Sequence, residues 1–279
     1  MKINENLFPK RKRISHKGDY GKVFILAGSE GMLGASILSS RGALRAGAGL
    51  VYLGIPKASR DIVNIATPEV IVVGGDEAAD FKEAAICADS LALGPGLGSR
   101  RKTAYDLLFG LSKEGFEKPI VLDADGLIAF VGELNSLKNL KLNLILTPHP
   151  GELGKLLSKS TGEILKNREK IASETAKSLG CILVLKGHQT IIADKTGKIN
   201  INKTGNPGMA SAGAGDVLTG IIAGLAAQGL NPLQAACAGV YIHGLAGDMA
   251  AGDRGEYGMI ASDIIDCIPK AIRKVQKNG

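Results

Sequence analysis

The sequence predicts a three-layer α/β/α domain around a mostly parallel central sheet, and three observations carry the prediction. Short apolar runs recur along the chain with helix-length segments between most of them. Several runs are rich in Val, Ile and Leu without strict alternation, as expected of strands covered on both faces. No linker, repeat or low-complexity tract divides the 279 residues, so 1–279 reads as a single domain with a substantial core.

Taken in order, "KVFILAG" (22–28) is an apolar run closed by glycine, "GASILSSRGALRAG" (34–47) has helical spacing, and "LVYLGI" (50–55) returns to strand character. This is a βαβ opening. Further strands are predicted at "VIVVG" (70–74), "SLALG" (90–94), "PIVLDAD" (119–125), "NLILT" (143–147) and "CILVLKG" (181–187). "TIIADKTGKINI" (190–201) reads as two strands about a turn at Lys195 to Gly197. Two helix starts are signed: Ser160 with Glu163 matches a capping box, and Asn231 before Pro232 sets a cap ahead of a first-turn proline. Val217, Leu218, Ile221, Ile222 and Leu225 give an apolar helix after Asp216. The terminal "SDIIDCIPKAIRKV" is amphipathic and predicts a helix kinked near Pro269.

Composition narrows the partners. Net charge is +7, but aromatic content is 4 % with no Trp, so the stacking platforms of nucleic-acid binders are scarce and phosphorylated small molecules suit the charge better. Cys87, Cys181, Cys237 and Cys267 lie far apart with no C-x-x-C pair, which argues against a zinc ribbon or a disulfide framework and fits a reducing cytosol. The polar N-terminus has no signal-like apolar run, and no apolar stretch is long enough to span a membrane; the expectation is a soluble, cytoplasmic protein. "KRKR" (10–13) reads as a solvated basic segment.

In such sheets ligands sit beyond the carboxyl ends of the strands. The residues there are "AGSEGMLGA" (27–35), "GPGLGS" (94–99), "DADGL" (123–127), "TPHPGE" (147–152), "KGHQT" (186–190) and "NPGMASAGAGDVLTG" (206–220). Gly, His, Lys and Asp gather at one rim, as functional loops do. Neither a Walker loop nor G-x-G-x-x-G is completed. The last stretch leaves two readings open. Gly213 and Gly215 make a tight turn with Asp216 capping the helix, or the amides of Gly213, Ala214 and Gly215 and the helix dipole cradle a phosphate beside Asp216 as a base.

"HKGDYG" (16–21), "GPGLG" (94–98), "DADGL", "TPHPGE", "KGHQT" and "TGNPGMASAGAGDVLTG" (204–220), in that order, resemble the motifs of the ADP/ATP-dependent (S)-NAD(P)H-hydrate dehydratases, within the ribokinase-like superfamily. The resemblance covers nearly the whole chain and implies a ribokinase-like fold, in the form lacking a fused epimerase domain. It implies dehydration of the (6S) hydrate of NADH or NADPH (NADHX, NADPHX), by phosphorylating the hydroxyl from ADP or ATP and eliminating phosphate. Asp216 then matches the base, kept ionised and weak by its helix N-terminus. Lys186, Gly187, His188, Gln189, Thr190 and Gly215 match nucleotide contacts, the Gly213, Ala214 and Gly215 amides hold the migrating phosphoryl group, and Ala35, Gly98, His149 and Asp216 meet the hydrate. Pro148 and Pro150 restrain His149, whose ring is expected to aim outward; the alternative is a cap on the following helix. Mg²⁺ bridging the nucleotide phosphates, a homotetramer and a separate NAD(P)HX epimerase as partner also follow from the resemblance. A vitamin-precursor alcohol kinase of the same fold and a non-catalytic adenine-nucleotide sensor are the alternatives.

Overall fold

The computed structural model describes residues 7–277; the first six residues of the polar N-terminus and the last two residues lie outside them. Among the described residues nine strands form one sheet in the order β3-β2-β1-β4-β5-β6-β7-β8-β9. They are β1 (Lys22–Leu26), β2 (Leu50–Ile55), β3 (Ile71–Gly74), β4 (Ser90–Leu93), β5 (Ile120–Leu122), β6 (Leu144–Leu146), β7 (Ile182–Leu185), β8 (Ile191–Ala193) and β9 (Ile199–Ile201). The first seven run parallel, and β8 and β9 add antiparallel at one edge. Each predicted run contains its strand, and "TIIADKTGKINI" supplies the edge pair. The chain steps outward from β1 to β3, then crosses back to β4 on the other side of β1. Strand order therefore reverses between β1 and β4, which opens a crevice at the carboxyl ends of those two strands.

The helices are α1 (Leu33–Arg45), α2 (Arg60–Ala66), α3 (Ala78–Ile86), α4 (Arg101–Lys113), α5 (Ala124–Ile128), α6 (Leu134–Asn139), α7 (Pro150–Leu157), α8 (Thr161–Lys166), α9 (Arg168–Leu179), α10 (Ala214–Ala227), α11 (Pro232–Arg254) and α12 (Ala261–Lys277). Burial of β1 on both faces separates two cores: Val23 and Ile25 join α1 and α10 to α12, while Phe24 and Leu26 join α3 to α9. This is why the strands read as unbroken apolar runs.

Local signals resolved unevenly. Asn231 makes the full box, accepting from Gln234 N at 3.0 Å while its own amide donates to Gln234 Oε1 at 3.2 Å. Ser160 makes only half of the expected one: its Oγ accepts from Glu163 N at 3.1 Å, but the Glu163 carboxylate turns to Lys159. The helix after the glycine loop is capped by Gly213, not by Asp216, which lies inside its first turn. α12 continues through Pro269. The basic segment is not wholly solvated, because the Arg11 guanidinium lies 3.8 Å from the Tyr20 ring centroid and donates to Gly47 O at 2.5 Å.

α10 is buried along nearly its whole length, and small residues let α1 lie directly on it. A Cβ on Gly220 would stand 1.9 Å from Ser39 O, and one on Gly42 would stand 2.6 Å from Val217 O. Backbone carbonyls of a packed helix cannot step aside as a side chain does. Glycine to alanine inside a helix otherwise gains up to about 1 kcal/mol, whereas overpacking costs about 1–3 kcal/mol. Gly220→Ala is therefore expected to destabilise the fold by about 1–2 kcal/mol, read as a lower urea midpoint at unchanged slope; an unchanged or raised midpoint would show that the two helices have room to part.

Candidate active site

Two loops flank the crevice at the strand reversal. Gly28 N donates to Pro95 O at 2.8 Å, Ser29 Oγ to Gly96 O at 2.9 Å, and the Arg100 guanidinium to Gly28 O and Gly75 O, each at 3.0 Å. These bonds bring the start of α1 against the loop after β4. A Cβ on Gly96 would stand 2.8 Å from Ala35 Cβ, and one on Gly98 would stand 2.6 Å from Met32 Cε. Gly98 has φ +53°, and its amide donates to Asp125 Oδ2 at 2.8 Å. Ala35 and Gly98 are thus brought together.

The third wall is the first turn of α10. Gly213 takes φ +86°, and a Cβ there would stand 2.3 Å from Leu38 of α1, so only glycine fits both the conformation and the space. The Ala214 amide is not free, since it reaches Ser211 O at 3.4 Å. Among the described residues the amides of Gly213, Gly215 and Asp216 meet no acceptor, and the buried Ser211 Oγ has no partner. His243 Nε2 donates to Ala214 O at 2.9 Å and pins the turn from α11. Gly215 needs no positive φ; a Cβ on it would meet Lys186 Nζ at 3.4 Å.

Lys186 joins this turn to the sheet. Its ammonium donates to Asp123 Oδ1 at 2.6 Å and lies 3.8 Å from Glu152 Oε2. Burial works against its charge, but Asp123 and Glu152 outweigh that and raise its pKa. Asp123 is 1 % exposed, and its Oδ2 accepts from Thr219 Oγ1 of α10 at 2.7 Å. Asp216 sits one helical turn before Thr219. Burial, then the negative charge of Asp123, push its pKa up to about 7, against the pull of Lys186. This runs against the expectation of an ionised, weakly basic Asp216, because burial and the like charge of Asp123 both oppose its ionisation.

Beyond Lys186 the loop is held by its backbone. Gly187 has φ +132° and Gln189 φ +54°; Arg168 donates to His188 O at 2.5 Å and to Gln189 O at 3.3 Å, and Thr190 Oγ1 to Gly187 O at 3.0 Å. Gly187, His188 and Gln189 are exposed. His149 proves to be a cap: its Nδ1 accepts from Gly151 N at 3.0 Å and Glu152 N at 3.3 Å, while its own amide donates to Glu152 Oε2 at 2.8 Å. The ring remains largely exposed at the rim. Lys186 N donates to Pro148 O at 2.9 Å, which ties the two loops to each other.

A family model described as NAD(P)H-hydrate dehydratase matches residues 23–270. The chain belongs to the NAD(P)H-hydrate dehydratase family. It is 36 % identical to the ADP-dependent (S)-NAD(P)H-hydrate dehydratase of Neisseria meningitidis, over 93 % of this chain and 87 % of that one. It is 42 % identical to the bifunctional NAD(P)H-hydrate repair enzyme Nnr of Moorella thermoacetica over 96 % of its own length but 52 % of the relative's, so it spans about half of such bifunctional proteins. Its fold matches that of the ADP/ATP-dependent NAD(P)H-hydrate dehydratase of Bacillus subtilis, co-crystallised with ATP and Mg²⁺, with a TM-score of 0.82, 31 % identity and coverage of 97 % and 95 %. The fold is ribokinase-like.

Within this dehydratase family member, Asp123, Glu152, Thr219, Arg168 and His243 are the residues that motif reading did not single out. Asp123, Glu152 and Thr219 stood inside the rim motifs, but nothing local marks the partners of Asp123, which lie 63 and 96 residues away. His149→Ala removes a cap that satisfies two helix-end amides, so α7 is expected to lose about 1 kcal/mol in thermal or urea unfolding. Full stability in that variant would mean the ring does not serve the helix.

Proposed function

We propose that the protein dehydrates the (6S) hydrate of NADH or NADPH at the expense of ADP or ATP. The observation that carries the proposal is the partly buried carboxylate of Asp216 in the turn that presents open helix-end amides and meets the Lys186 ammonium; burial raises its pKa to about 7. A hydroxyl is a poor leaving group. Asp216 takes its proton as the oxygen attacks the terminal phosphorus of the nucleotide and the bond from that phosphorus to its bridging oxygen breaks, releasing AMP from ADP or ADP from ATP; the amides of Gly213, Gly215 and Asp216 receive the transferred phosphoryl oxygens. Phosphate then departs with both electrons of the C6–O bond, C5 gives its proton to the departing phosphate or to water, and the C5–H electron pair becomes the ring double bond. On this reading Lys186, Gly187, His188, Gln189, Thr190, Gly213, Ala214 and Gly215 face the nucleotide; Ala35, Gly98, His149 and Asp216 face the hydrate. Ala214 lines the cradle without lending it an amide.

Among the described residues no three His, Cys, Asp or Glu side chains are grouped to hold a metal ion. On this reading Mg²⁺ would be held mainly by nucleotide phosphates and water and would offset charge on the phosphoryl oxygens. The same reading includes cytosolic repair of the nicotinamide pool, a homotetramer and a separate epimerase that returns the other hydrate epimer. No helix among the described residues is long and apolar enough to cross a membrane.

The test is to supply NADHX, Mg²⁺ and either ADP or ATP and follow the return of reduced-nicotinamide absorbance. Recovery with at least one donor is expected; a stable phosphorylated product without recovery would favour the kinase, and binding without turnover a sensor. Because Asp216 must be ionised to accept a proton, kcat/KM should rise with pH through about 7 and level off above it. Asp216→Asn should cost about 10² or more in turnover with nucleotide binding kept; near-full activity would remove Asp216 from the base role.

A further inference from the structure

The mechanism above uses Asp216 and Lys186 but gives no task to the buried carboxylate between them. Asp123 is too enclosed to touch any substrate, at 1 % exposure. Both its oxygens are committed, one to Lys186 Nζ at 2.6 Å and the other to Thr219 Oγ1 at 2.7 Å. Thr219 is itself fully buried, and lies three residues beyond Asp216 on the same face of α10. A carboxylate that only had to satisfy a threonine would not need a charge. A lysine that only had to reach a phosphate would not need to be fixed at rest by a buried anion.

We propose that Asp123 is a positioning residue for the reaction: anchored by Thr219, it holds the Lys186 ammonium against the first turn of α10 and sets the ionisation of Asp216 by its own negative charge. The inference rests on Asp216 being the base. The groups that face Asp216 are few. Asp123 and Glu152 oppose its ionisation and Lys186 favours it. From α11, His243 touches the same turn, but burial depresses its pKa to about 4 and leaves it neutral near pH 7. Beside Gly213 the nearest side chains from α1 and α12 are the apolar Leu38 and Ala261. Replacing Asp123 by Asn keeps an oxygen for Thr219, removes the like charge, and frees the ammonium to turn toward Asp216. Both changes favour the ionised form of Asp216.

The sign in a stability experiment follows. A carboxyl whose native pKa lies near 7, above its unfolded value of about 4, contributes stability that is lost as pH rises from the lower value through the higher. Asp216→Asn removes that loss. Its melting temperature should exceed the parent's by about 2–4 °C or more at pH 8, with the gain fading toward pH 4. In an Asp123→Asn background the same substitution should bring a smaller gain, and the rising limb of kcat/KM should sit lower by about one pH unit. Thr219→Val, which keeps the charge and removes the anchor, should lower kcat and leave the limb in place. No gain at pH 8 for Asp216→Asn in the parent overturns the inference whether or not Asp123→Asn folds. So does an equal gain in both backgrounds, or a limb moved as far by Thr219→Val as by Asp123→Asn. If the melting gains behave as expected while the kcat/KM limb ignores them, the charge coupling stands and Asp216 as the base falls.

Discussion

A buried carboxylate without partners is expensive enough that proteins either neutralise it or pair it on every side. Asp123 is paired on every side, and the geometry of the site follows from the pairing. It stands at the carboxyl end of β5, in the middle of the sheet, and reaches Lys186 at the end of β7 and Thr219 on α10. Two strand ends and a helix from the opposite layer are thereby fixed to one another by two short bonds. Removing one partner of such a buried pair costs about 3–5 kcal/mol, so the arrangement tolerates little drift. The same bonds deliver an ammonium and a second carboxyl to the first turn of α10, where the chemistry needs charge in a defined place.

α10 is suited to receive them because it is tightly packed. Gly42 and Gly220 let α1 close onto it at backbone distance, Leu38 fills the space beside Gly213, and His243 holds the Ala214 carbonyl. The open amides at its start are therefore presented without rearrangement. Phosphoryl transfer asks little covalent chemistry of a protein and much positioning, and fixed dipoles in a place shielded from water supply that at no cost of reorganisation. Rigidity has its own cost here: Asp216 is kept in surroundings that resist its ionisation, which lifts its pKa to about 7 and makes it a stronger base than an exposed aspartate.

The strands were legible in the sequence because burial on both faces writes an apolar run that needs no context, as in "KVFIL" and "CILVL". The rim motifs were legible as loops at strand ends, and a family resemblance assigned their roles. Three things were not. Asp216 as a cap follows from residue preference, yet the turn is closed one step earlier by Gly213 in a left-handed conformation that no preference table reveals. The Ser160 box is only half made, since Glu163 has a lysine four residues back competing for it. Asp123 looked like any strand-end aspartate, because its importance lies in contacts spanning 63 and 96 residues, which only the folded sheet brings together. His149 falls between: both readings of it were visible, and the cap is present while the ring stays open to the rim.

Phosphorylating the hydroxyl first separates this chemistry from direct loss of water, and the fate of one oxygen atom distinguishes them. If Asp216 and the α10 cradle place the hydroxyl on the terminal phosphorus, that oxygen must leave as part of phosphate when the C6–O bond breaks. NADHX prepared with ¹⁸O in its C6 hydroxyl, turned over with unlabelled ADP or ATP and Mg²⁺, should release inorganic phosphate carrying one ¹⁸O atom per ring restored. Label found in water, with unlabelled phosphate, would contradict the phosphorylated route and with it the role given to the first turn of α10.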